Sequence, residues 1–176
     1  MQPSPFKSSV NYGAMCGLAG FAMFLLLYWM GFNPLGQASL LGIWIPPLFV
    51  YLSVKYYRNE ILNGGPMTFM EAFRAGFLTA SSGAILYALI VFIFGQVIDT
   101  GLLDNYKEIM LSDLETTEAS MRSIFGDSYY EAVFDDFKNK TMAGLASGEF
   151  GGKIIGGLFY SIIFALVLKR NPAKSI

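Results

Sequence analysis

Glu71 and Arg74 stand three residues apart beside Phe69 and Phe73. That spacing lets a carboxylate and a guanidinium meet on one face of a helix. At the edge of a membrane such an ion pair can form a gate or a binding site, or simply fix the depth of the helix. Lys153 lies just inside an apolar run. It can hold an anionic headgroup, or stretch its ammonium outward along apolar surface. Asp135 with Asp136, and the carboxylates from Asp104 to Glu118, are candidates for a divalent cation. They lack the fixed spacing and turn glycine of a calcium loop, so they read as a solvated acidic face. Asn139-Lys140-Thr141 fits a glycosylation sequon, a pattern common by chance.

Beyond these, little in the chain can do chemistry. Histidine is absent, which removes the usual general base near neutral pH and the commonest metal ligand. The single cysteine, Cys16, lies in an apolar run and has no partner for a disulfide. No nucleophile–base set or metal cluster is visible. The expectation is a protein that is not an enzyme and carries no metal and no cofactor. Net charge is −1, so no basic field favours nucleic acid. Only 14% of residues are charged and mean hydropathy is +0.48, against about a quarter charged in soluble domains. Much of the surface is therefore expected to face lipid.

Four apolar segments account for that composition: about 12–32, 40–57, 75–98 and 150–168. At about 1.5 Å per residue, a helix of some 20 residues crosses a hydrocarbon core about 30 Å thick. A cleavable signal peptide is the rival for the first segment. Its apolar run is longer than a signal core, and Asn33-Pro34-Leu35 offers no cleavage site. Pro46 and Pro47 are expected to bend the second segment, with neighbouring helices repairing the backbone. Tyr51, Tyr56 and Tyr57 place an aromatic belt at its exit. Asn63-Gly64-Gly65-Pro66 signals a turn, and Thr68 with Glu71 forms a capping box ahead of the third segment.

Residues 99–149 hold eleven of the thirteen carboxylates. Tyr106, Ile109, Met110 and Leu114 mark one amphipathic face, and Tyr130, Val133, Phe134 and Phe137 another. Gly126 separates them, and Ser128 with Glu131 predicts a second capping box. The predicted architecture is all-α. It is an integral membrane four-helix bundle with an extramembrane amphipathic helical insertion between its third and fourth helices, in one membrane domain.

Charge sets the expected orientation. With four crossings, Lys7, Lys55, Arg58, Arg74, Lys169, Arg170 and Lys174 share a side with only Glu60 and Glu71. Basic residues collect in short cytoplasmic loops, so both chain ends are expected in the cytoplasm and 99–149 outside. A re-entrant second segment would misplace six of those basic residues. Small residues add a packing expectation. Gly13 and Gly17 are four apart, and Gly144, Gly148, Gly152 and Gly156 repeat the interval. Such stripes bring membrane helices close, either within one bundle or between copies in a homo-oligomer.

One run is more specific than the rest. After a glycine-rich first helix and a second ending in Tyr-Tyr and basic residues comes Gly65-Pro66-Met67-Thr68-Phe69-Met70-Glu71-Ala72-Phe73-Arg74-Ala75-Gly76. This pattern resembles the DUF 4199 family of small bacterial membrane proteins of unknown function. The resemblance covers nearly the whole chain. It implies four helices with an extramembrane segment before the last, in a Gram-negative inner membrane. It implies no activity and no catalytic residues. The expected function is that of a scaffold or accessory protein among membrane lipids, docking a protein partner through residues 100–145. A small oligomeric transporter or channel for a neutral or lipophilic solute is the alternative.

Overall fold

The computed structural model describes residues 4–170, and within them the fold is all-α. Helix α1 spans Pro5–Trp29. Ser4 caps it, its hydroxyl accepting from the Lys7 amide at 3.2 Å, and Pro5 fills the first turn where an amide has no helical partner. The second segment is discontinuous: a 3-10 turn over Gln37–Gly42, then helix α2 over Ile45–Tyr56, then a π turn over Tyr57–Ile61. Pro46 and Pro47 do not bend a continuous helix. They lie in the first turn of α2, and the break falls just before them. That placement removes two amide donors that would otherwise go unpaired in lipid.

Helix α3 spans Phe69–Ile93 and runs on through a π turn to Ile98. The Thr68–Glu71 capping box starts it. Three helices follow outside the spans: α4 over Leu102–Thr116, α5 over Glu118–Phe125 and α6 over Asp127–Lys138. The insertion thus holds three helices rather than a pair. Gly126, at φ +87°, ends α5 and starts α6. Because α6 begins at Asp127, Ser128 is not a cap, and Gly126 offers no side chain for one. Helix α7 spans Met142–Leu168, with Thr141 accepting from the Gly144 amide at 3.0 Å.

Four helical stretches are long and apolar enough to cross a membrane: Pro5–Trp29, Gln37–Ile61, Phe69–Ile98 and Met142–Leu168. Only 22–44% of their most apolar stretches is buried inside the protein, so most of their side chains need another apolar solvent. The chain is therefore a multi-pass membrane protein. Contacts fix the directions. Gly13, Gly17 and Gly20 of α1 meet Ser82, Gly83 and Tyr87 of α3 in the same order, so these helices are parallel. Gly95, Ala80 and Gly76 of α3 meet Met142, Gly157 and Ser161 of α7 in reverse order. The second segment runs back between them, with Gly42 beside Met23 and Ser53 level with Ser9.

Two apolar clusters hold the ends. At the end carrying α4–α6, the cap end, Phe24, Tyr87, Val91, Phe94, Leu102, Met142 and Leu145 pack together. Phe94 receives the rings of Phe24 and Tyr28 edge-on at 5.2 and 5.1 Å. At the opposite end Val54, Met67, Ala72, Ala75, Ala165 and Leu168 close the bundle. Met67 and Arg170 exchange two backbone hydrogen bonds of 2.9 Å there.

Between the clusters, Thr79 Oγ1 sits 2.7 Å from Ser53 Oγ, 2.9 Å from the Ala75 carbonyl and 3.1 Å from the Ser9 carbonyl. Thr79, Ser53 and Ser9 are all buried. This knot joins the first three spans. Thr79→Val keeps the shape but strands the Ser53 hydroxyl, which should cost about 1 kcal/mol in unfolding measured in detergent.

Candidate functional site

Helices α1 and α7 both pack on α3, and toward the cap end a gap remains between them. The 3-10 turn and the start of α2 form the third wall. The result is a crevice of about 360 Å³ lined by α1, the broken second segment, α3 and α7. That volume falls within the range of small-molecule and cofactor sites. Its walls are mainly apolar: Met23, Phe24, Leu27, Leu40, Ile43, Ile45 and Pro46, with buried Cys16 among them.

Helix α7 supplies the polar part. Glu149 and Lys153 pair at 2.7 Å, and the Lys153 ammonium lies 4.1 Å from the centre of the Tyr87 ring. Their side chains keep only 22% and 29% of their exposure. Neither residue is at the rim of its helix. The sequence places the fourth span from 150 with Lys153 at its edge, yet α7 begins at Met142. The reason is local: Thr141 caps the chain early, and the uncharged run 142–148 continues the helix outward. Lys153 therefore stands eleven residues in, about 16 Å along the axis, and Glu149 about 10 Å. Their register is fixed by Gly95 against Met142 and Gly157 against Ala80. A carboxylate and an ammonium thus stand about two and three turns inside a helix whose start hydropathy alone does not place. The usable signal is their spacing of four residues, which pairs opposite charges on one helix face.

The glycines divide into two sets. Gly13 and Gly17 are buried against α3: a Cβ at Gly17 would stand 2.8 Å from the Gly83 carbonyl oxygen, and one at Gly13 2.6 Å from the Thr79 carbonyl oxygen. Gly144, Gly148, Gly152 and Gly156 pack on no other helix among the described residues. Gly144 is taken up with the Thr141 cap, and a Cβ at Gly148 or Gly152 would meet nothing within 4 Å. Gly156 faces only Tyr160 of its own helix. Gly148, Gly152 and Gly156 line the crevice instead. The α7 glycine that does touch α3 is Gly157, against the Ala80 methyl.

Glu71 and Arg74 are not brought together. One Glu71 carboxylate oxygen accepts from both the Thr68 amide and the Thr68 hydroxyl at 2.8 Å. Arg74 forms no ion pair among the described residues. The capping geometry wins because it satisfies orphan amides at a helix start. Asp136 pairs with Lys140 at 2.7 Å, and no group of three metal-ligating side chains lies together among the described residues. Lys174, counted in the charge balance, lies outside the described residues.

The cap is a packed unit. Leu102, Leu114 and Tyr130 are buried, and Tyr106 meets Phe137 at 6.4 Å. Arg122 ties α5 to α6: it donates to Glu118 at 2.7 Å, to Asp127 at 3.0 Å and to Glu131, and lies 4.2 Å over the Tyr130 ring. Glu131 therefore binds Arg122 rather than an N-cap. Asn33 donates to Asn105 at 2.7 Å, fastening α4 to the end of α1. At the corner of α5 and α6, Ile124, Phe125 and Tyr129 remain 70%, 59% and 47% exposed.

A family model described as "Protein of unknown function (DUF4199)" matches residues 11–170. No curated protein and no solved structure matches the chain.

Proposed function

Because the chain belongs to the DUF4199 family, whose description assigns no activity, we propose its role from geometry: a non-enzymatic interaction protein of a bacterial inner membrane. Both chain ends lie in the cytoplasm, and the cap projects into the periplasm as the docking element. The observation that carries this reading is the corner of α5 and α6. Ile124, Phe125 and Tyr129 are exposed where Arg122 ties α5 to α6, and the three carboxylates that Arg122 pairs with, Glu118, Asp127 and Glu131, belong to the same two helices. An exposed apolar cluster with a polar rim is the usual form of a protein contact. The acidic rim asks for a partner with a basic rim around an apolar pocket.

The test is a photoreactive side chain at Phe125 in living cells, with Asp104 as the control position. A discrete protein adduct at Phe125, absent at Asp104 and lost in Arg122→Ala, is expected. Adducts to lipid alone, or equal adducts at both positions, would remove the docking role. Accessibility labelling of Ser4→Cys and Ser112→Cys in intact cells checks orientation: only the second should react with an impermeant reagent.

A second reading draws on a different feature. The broken second span borders an apolar crevice, as segments that handle solutes within membranes do. This supports a small oligomeric carrier of a lipophilic solute. Native mass spectrometry showing only monomer would set it aside.

A further inference from the structure

The crevice raises a question that the cap does not answer. Three of its α7 wall positions are glycines, Gly148, Gly152 and Gly156, and among the described residues no other helix fills the space beside them. The slot lies between α1 and α7, two of the four helices long and apolar enough to cross a membrane, so lipid is the solvent at hand for it. An apolar slot of about 360 Å³ takes one hydrocarbon chain.

Charge selects the head of that chain. Glu149 and Lys153 form a neutral pair beside the slot. A purely anionic or purely cationic head would leave one uncompensated charge in a low-dielectric setting. A head carrying both charges leaves none. Each partner also has capacity to spare. The ammonium has three donors, of which Glu149 takes one, and the carboxylate has further lone pairs. We propose that the crevice binds one chain of a zwitterionic phospholipid, with the phosphate on Lys153 and the ammonium on Glu149. The inference is independent of the cap and its partner.

The experiment uses the full chain in a mild uncharged detergent. The probes are lysophosphatidylethanolamine and lysophosphatidylglycerol of equal chain length, followed by native mass spectrometry. One molecule of the first should bind at least about tenfold more tightly than the second, equivalent to about 1.4 kcal/mol of head discrimination. In Glu149→Gln/Lys153→Met the preference should fall to within about twofold, because the paired charges are gone. Gly152→Leu should abolish binding of both probes, and Gly148→Leu should weaken both, while each variant keeps its unfolding temperature. Equal affinity for the two heads, a preference for the anionic one, no binding of either, or unchanged binding in Gly152→Leu would each overturn the proposal.

Discussion

Gly17→Leu should prevent α1 from seating on α3. The first atom beyond Cα would stand 2.8 Å from the Gly83 carbonyl oxygen and 3.1 Å from the Leu86 Cβ. Both neighbours belong to a packed helix, one of them to its backbone, so neither can swing aside. Overpacking a tight core costs about 1–3 kcal/mol, and a backbone obstacle puts this site at or above the upper end. The expected result is a large fall in unfolding temperature in detergent, or loss of monodisperse protein. Gly152→Leu is the matched control. A Cβ there meets nothing within 4 Å, and leucine favours helix over glycine, so stability should stay equal or rise by a few tenths of a kcal/mol. Equal damage from the two substitutions would mean that α7 packs through its glycine stripe after all.

The second large effect concerns the charge pair on α7. Lys153→Met removes the partner of Glu149 and leaves a carboxylate facing apolar walls. Breaking a fully buried pair by deleting one member costs about 3–5 kcal/mol; these side chains are part-buried, so about 1–3 kcal/mol is expected. Glu149→Gln should cost less, since a lone lysine can extend its ammonium toward the membrane surface. Removing both charges together should restore most of the loss, because a neutral pair carries little net stabilisation of its own. Unfolding of the four proteins in one detergent gives the coupling directly. Additive losses in the double variant would show that the two side chains act separately.

The legibility of this fold in its sequence follows a physical pattern. Spans were legible because lipid imposes a single rule on long apolar helices, and the Thr68–Glu71 box was legible because caps are local. The start of α7 was not. Residues 142–148 are small and only weakly apolar, so hydropathy drops there while the helix continues from its Thr141 cap. That offset hid how far Glu149 and Lys153 stand from the helix start. The two glycine sets look alike in sequence, since interval alone carries no direction. The packing of α1 on α3 turns one set toward a neighbour, and the register of α7 on α3, set by Gly157 and Ala80, turns the other toward empty space. Likewise Glu71 has two partners in reach, and the amide and hydroxyl of Thr68 outcompete Arg74.

The paired backbone bonds of Met67 and Arg170 have a mechanical consequence. They join the loop after the second span to the residue just past the end of the fourth, far from the slot. With α7 already seated on α3 from Gly95–Met142 to Gly76–Ser161, this stitch makes the two helices one strut, and sliding of one along the other is the motion it resists.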